Sequence, residues 1–186
     1  MHRPRLPRLQ RARRTLLLAL LPWGGLLPGC ATRPAADAAA PWTSGRLSLQ
    51  VEADATHAAR SLSADFDLRG DGQRGELHLS SPLGNRLATA RWSPEEAVLN
   101  LGQGERHYAD LESLSRHALG EALPLRALPD WLAGRPWAGA PAQPQTDGFT
   151  QLGWQVGLAG LGDGRIEAVR EQAPRVQLRV RLVRQG

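Results

Sequence analysis

The chain has 186 residues, with 23 Lys and Arg, 18 Asp and Glu, and a formal charge of +5. Six of those arginines (Arg3, Arg5, Arg8, Arg11, Arg13, Arg14) lie within residues 1–29, which hold no acid; 23 less 6 leaves 17 basic and 18 acidic residues beyond, a charge of −1. The high overall basicity is therefore no argument for nucleic-acid binding, and no nucleic-acid partner is expected. Within residues 1–29 a basic stretch precedes an apolar run from Leu16 to Leu27. That run is too short to span a bilayer and has the order of a secretory signal.

Cys30 is the single cysteine of the chain and directly follows Leu27-Pro28-Gly29. It resembles the lipobox cysteine of bacterial lipoproteins, which becomes the acylated first residue of the mature protein. That resemblance implies lipidation at Cys30. Ala31 replaces the aspartate associated with inner-membrane retention, which favours the outer membrane. An acylated Cys30 leaves no thiol for disulfides, metal or catalysis. Residues 30–41, rich in alanine and proline after Cys30, read as a lipidated N-terminus and flexible tether. Residues 42–186 are long enough for one domain with a core of its own.

The domain opens with strands. Leu47, Leu49 and Val51 alternate with Ser48 and Gln50, and Leu62, Ala64, Phe66 and Leu68 alternate with Ser63, Asp65 and Asp67. This period of two predicts an antiparallel sheet with one apolar face. Gly70 to Gly75 has the letters of a dinucleotide-binding loop, but it joins two strands and opens no helix, so it reads as a hairpin turn. Leu77 and Leu79 continue the pattern until Ser81-Pro82 stops it, because proline brings no amide hydrogen to a ladder. Leu83 then sits in a loop between Pro82 and Gly84. It either folds back on the core or stands out as an exposed hydrophobic finger.

A strand returning to Ala90 and a short one over Ala97–Leu101 follow. Asp110 is placed to cap a helix whose Leu111, Leu114 and Ala118 share a face and which Gly120 ends. A second helical element is expected over Pro124–Ala133, with Leu125, Leu128, Trp131 and Leu132 as its stripe and a break or fresh start at Pro129. Residues 138–146 read as a loop. Leu152, Trp154 and Val156 predict a strand, 157–164 a loose glycine-rich turn, and Ile166 and Ala168 another short strand. Val176, Leu178, Val180 and Leu182 give the clearest alternation of all. The expected fold is mainly β (α+β), an antiparallel sheet curling into a barrel or half-barrel whose concave side is plugged by helices.

Three motifs, in this order, are similar to those of the LolB family of outer-membrane lipoprotein receptors. They are G-R-L-S at Gly45–Ser48, S-P-L-G-N at Ser81–Asn85 and L-P-L-R-A-L-P-D-W-L-A-G at Leu123–Gly134. The resemblance implies an open half-barrel with an apolar cavity under two or three short helices. That cavity would receive acyl chains of lipoproteins from a periplasmic carrier and release them into the inner leaflet of the outer membrane. Its expected lining is Leu47, Leu49, Phe66, Leu68, Leu77, Leu79, Val176, Leu178 and Val180, with Leu128, Trp131 and Leu132 from the lid. Pro82, Leu83 and Gly84 are the expected membrane-insertion loop, since a leucine entering a bilayer recovers about 1.5–3 kcal/mol. Arg46, Arg86 and Arg91 on the outer face are expected to meet an acidic carrier.

The expected partners are that carrier, acyl chains and outer-membrane lipid, with the protein monomeric. The rival readings are a soluble carrier or another lipid-binding lipoprotein of similar fold, and a periplasmic hydrolase; an acylated Cys30 opposes the carrier because a tethered carrier cannot shuttle. His57, His78, His107 and His117 are scattered without metal-ligand spacing, and no nucleophile elbow occurs. No metal, cofactor or enzymatic activity is expected.

Overall fold

A computed structural model describes residues 40–55 and 58–183. Its strands are β1 (Thr43–Val51), β2 (Arg60–Gly70), β3 (Gly75–Ser80), β4 (Arg86–Trp92), β5 (Ala97–Asn100), β6 (Glu105–Tyr108), β7 (Ala142–Gln145), β8 (Gly148–Gln151), β9 (Trp154–Gly157), β10 (Arg165–Arg170) and β11 (Val176–Leu182). Helices α1 (Leu111–Leu119) and α2 (Leu128–Leu132) lie between β6 and β7. All eleven strands join one antiparallel sheet, ordered β6-β5-β4-β3-β2-β1-β11-β10-β9-β8-β7. Strands β6 and β7 do not pair with each other, so the sheet stays open, as an open half-barrel requires.

The alternation read from the sequence is the alternation that is buried. Leu47, Leu49 and Val51 of β1 and Ala64, Phe66 and Leu68 of β2 point into the core, with Ile166, Ala168, Val176 and Val180 beyond them. Strand β1 is the hinge of this arrangement, paired with β2 on one side and with β11 on the other, from Gly45↔Leu182 to Val51↔Val176. Gly45 is required where it stands. A Cβ there would lie 2.5 Å from the Arg181 carbonyl oxygen and 2.9 Å from the Phe66 ring.

Several elements differ from the sequence reading. Residues 142–145, expected in a loop, form edge strand β7 despite Pro144, which an edge tolerates because no further strand needs its amide. Strands β6 and β8 have no apolar alternation long enough to be read, and they form because β5 and β9 offer partners. Leu152 is not on a strand face. With Gly153 it makes the two-residue turn between β8 and β9, at φ 52° and 77°, the positive pair expected of a tight hairpin. The second helix is shorter than Pro124–Ala133. Residues 124–127 form a turn, and α2 starts afresh at Leu128 with Pro129 in its first turn, where a missing amide costs nothing. The 157–164 segment is held rather than loose, with a 3₁₀ turn over Leu161–Asp163.

Gly45→Ala is expected to fold but to lose about 1–3 kcal/mol, because the β1–β11 pair must part to admit the methyl group. Urea unfolding read by tryptophan fluorescence measures this, and an unchanged midpoint would mean that the strands absorb it.

Candidate functional site

One buried amide fixes the helical segment to the sheet. The side chain of Gln151, on β8, is 1 % exposed. Its Oε1 accepts from Trp131 Nε1 (2.8 Å) and from the Trp137 amide (2.9 Å). Its Nε2 donates to the carbonyls of Trp137 (2.7 Å) and Ala140 (2.8 Å). All four bonding positions used are satisfied, so burial of this polar group is not penalised. Trp131 also packs beside Phe149 and Trp154. The alternating-apolar pattern gives no signal for a buried glutamine.

Helix α1 packs on β5 and β6. Asp110 caps it, its Oδ1 accepting from the Ser113 amide at 2.7 Å, and Gly120 closes it at φ 78°. The Ser113 amide, and then the Ser113 hydroxyl, hold the Asp110 carboxyl below its ordinary range. Ser115, fully buried, donates to the Glu112 carbonyl and accepts from the Leu123 amide, each at 3.0 Å. An ion pair between Arg170 and Glu121 (2.7 Å) ties the segment after α1 to β10.

Between this roof and the concave face lies a cavity of about 220 Å³. Fourteen leucines, three alanines and Ser115 line it. Because the Ser115 hydroxyl is already engaged, nothing there offers water the two to four polar partners it needs, and the cavity suits hydrocarbon. A second cleft of about 210 Å³ adjoins it, sharing Leu49, Leu62, Ala118 and Leu119. The end of α1 is therefore not sealed against β1 and β2.

Of the residues expected to line a cavity, Leu47, Leu49, Leu77, Leu79, Leu128 and Leu178 do so. Phe66, Leu68, Trp131, Leu132, Val176 and Val180 do not line it and belong to the close-packed core around it. Leu62, Leu87, Ala88, Ala90, Leu99, Leu101, Leu114, Ala118, Leu119, Leu123 and Leu125 complete the apolar wall. For Leu114 and Ala118 the shared face of α1 was the available signal.

Pro82, Leu83 and Gly84 stand apart from the core. The Gly84 amide donates to the Ser81 carbonyl and the Ser81 amide to the Asn85 carbonyl, both at 2.8 Å. This is a turn with proline second, closed by a glycine at φ 83°. Held in that turn, Leu83 is 89 % exposed, the most exposed large apolar side chain among the described residues. Leu87 and Leu101, at 41 % and 50 %, flank the cavity rim. Cys30 lies outside the described residues, as does His57. His78 and His107 are bonded to Glu76 and Glu96, and no cluster of three metal-ligating side chains occurs among the described residues.

A family model for the outer membrane lipoprotein LolB matches residues 42–184. The chain belongs to the LolB family. It is 37 % identical over 155 residues to the outer-membrane lipoprotein LolB of Chromobacterium violaceum, covering 77 % of this chain and 81 % of the relative. It is also 35 % identical to the Ralstonia nicotianae protein of that name (74 % and 73 % covered) and 38 % to that of Thiobacillus denitrificans (67 % of each). The three LolB-like motifs acquire physical roles here. Gly45 permits the β1–β11 approach, Ser81–Asn85 builds the turn under Leu83, and Leu123–Gly134 supplies cavity wall and the Trp131 anchor.

Gln151→Leu removes a partner from four polar groups, of which the Trp131 indole N–H is the buried one, and a loss of about 2–3 kcal/mol is expected. Calorimetric unfolding checks it, and a loss below 1 kcal/mol would show that water or rearrangement replaces the amide. The Asp110 cap also makes an acid-stability prediction. Its lowered carboxyl contributes stability that is whole above about pH 4 and is lost as pH falls through the folded-state value. Asp110→Asn keeps a capping oxygen without the titration, so it should unfold less steeply with acid below pH 4. Parallel acid limbs in the two proteins would contradict this.

Proposed function

We propose that this chain is an outer-membrane receptor that accepts lipoproteins from a periplasmic carrier, shelters their acyl chains in the cavity and inserts them into the inner leaflet. Cys30 anchors it by lipid on the periplasmic face, residues 30–41 form the lipidated N-terminus and tether, and residues 42–186 do the work without enzymatic chemistry. The observation that carries this reading is a leucine-lined cavity whose rim lies beside a loop presenting a bare leucine.

The energetics support it. Hydrocarbon burial contributes about 0.8 kcal/mol per CH₂, so a long acyl chain resists water by on the order of 10 kcal/mol. A leucine-walled pocket offsets that cost, and the bilayer offsets it further, so carrier, receptor and membrane form a downhill series without fuel. The cavity of about 220 Å³ is smaller than the roughly 300–1,000 Å³ of sites that enclose a drug-sized ligand. On this reading cargo enters as the roof lifts, and the adjoining cleft beside Leu119 supports the end of α1 as the part that yields.

Leu83 serves the last step. Its insertion recovers about 1.5–3 kcal/mol, too little to hold a protein but enough to aim the rim at the leaflet. Acceptance and insertion should therefore separate. In an exported, unacylated form carrying Cys30→Ala, a carrier loaded with labelled lipoprotein should still pass its cargo on. Leu83→Glu in the anchored protein should accept cargo normally and fail to deliver it to vesicles, while Leu83→Ile delivers. Loss of acceptance by a folded Leu83→Glu would make Leu83 a carrier contact, and normal delivery would remove its role.

A further inference from the structure

The convex face carries a charge arrangement that folding alone does not favour. Arg46 of β1 is paired with Arg181 of β11, and Arg181 with Arg165 of β10. Three like charges thus stand directly opposite one another on adjacent strands, all exposed, and such pairs are destabilising. Arg46 is bonded to Asp65 and Arg165 to Asp163, each at 2.8 Å. These carboxylates lie at the two ends of the row, and Arg181 in its middle has no carboxylate partner among the described residues. Both pairs are well exposed, and so cost little to exchange for another anion.

The row borders a groove of about 650 Å³ that Arg179 also lines, with the side-chain-free Gly157 and Gly160 along its wall. The same register runs on through Asp65 and Ser80 to Arg86, where a bulge pairs Ser80 with Arg86. Counting Arg179 and its partner Glu167, five guanidinium groups meet three carboxylates there. The chain from Cys30 onward is by contrast slightly acidic.

We propose that this arginine row docks on anionic phospholipid headgroups, holding against the leaflet that margin of the convex face which is level with the Leu83 turn. Two features select the membrane as occupant, and both rest on the function proposed above. Twelve residues separate Cys30 from Thr43, so an anchored β1 lies within about 45 Å of the bilayer. The point of entry is fixed on the convex face, where Trp42 stacks on His78 and lies 4.5 Å beneath the Arg69 guanidinium. Along the strands, the row lies between the level of that entry and the Leu83 turn, which begins one residue beyond Ser80. A surface tied to the membrane at its entry and at Leu83 presents what stands between them, and guanidinium groups match phosphate oxygens.

The test uses the exported full-length protein with Cys30→Ala, so that no acyl anchor masks weaker contacts. Co-sedimentation with vesicles of phosphatidylethanolamine alone is compared with vesicles containing phosphatidylglycerol. Affinity should rise with phosphatidylglycerol and fall with salt. Arg181→Gln should weaken it about fivefold, and Arg46→Gln with Arg165→Gln and Arg181→Gln together more than tenfold. Because Arg181→Gln relieves repulsion, its thermal stability should stay level or rise, which separates lost docking from lost folding. Equal binding to both vesicle types, or undiminished binding by the triple variant, would overturn the proposal. So would a triple variant that keeps vesicle binding but loses the carrier, since the row would then be a protein contact. Cargo transfer is scored separately. Headgroup binding without transfer would defeat the proposed function alone, and transfer without phosphatidylglycerol dependence would defeat the docking alone.

Discussion

The pairing of β1 with β11 is the constraint on which the rest of the molecule depends. It joins the first strand of the domain to the last, across seven register pairs from Gly45↔Leu182 to Val51↔Val176. Without it the chain would hold two separate sheets, β1 to β6 and β7 to β11, each exposing an apolar face. With it, one continuous surface curves round a common interior, and two edges remain at β6 and β7. The bare backbone of Gly45 against the Arg181 carbonyl is the local condition of that join.

A continuous apolar concave face must be covered, and the chain covers it incompletely. Trp131, locked by Gln151, closes one part into solid core. Over the other part lie α1 and the segment from Leu123 to Leu128, which meet the strands through leucines and leave a space. The roof is held at its margins by the Asp110 cap and the Arg170–Glu121 pair, and from within by Ser115, whose hydroxyl is engaged by the backbone. An interior lined by leucine and alanine, with its one hydroxyl already engaged, offers burial rather than a pattern of polar contacts. This chemistry fits the proposed role, in which acyl chains are taken from one host and surrendered to another.

Much of this was legible in the sequence, for physical reasons. The period-two alternation of β1, β2 and β11 follows directly from burial of one face, and Leu83 between Pro82 and Gly84 was conspicuous because turns seldom carry leucine. The sequence could not say whether that leucine was covered; the hydrogen-bonded turn leaves it outside. Short strands such as β6 and β7 were illegible because their neighbours, not their composition, make them. The division of the apolar residues was illegible too. Phe66 and Val176 look the same as Leu49 and Leu79 in a pattern, yet only the latter pair faces the cavity. Gln151 resembled any surface glutamine until its four partners were assembled around it.

The proposed function stands on acyl chains lying in the leucine cavity, and photocrosslinking can locate them there. A photoreactive side chain is placed at Leu178 on the cavity wall, and at Ser48 on the convex face as control, in protein receiving lipoprotein from a loaded carrier. Acyl adducts are expected at Leu178, disappearing when vesicles are added, and none at Ser48. Equal labelling at both positions, or no labelling at Leu178 while cargo is demonstrably bound, would contradict it.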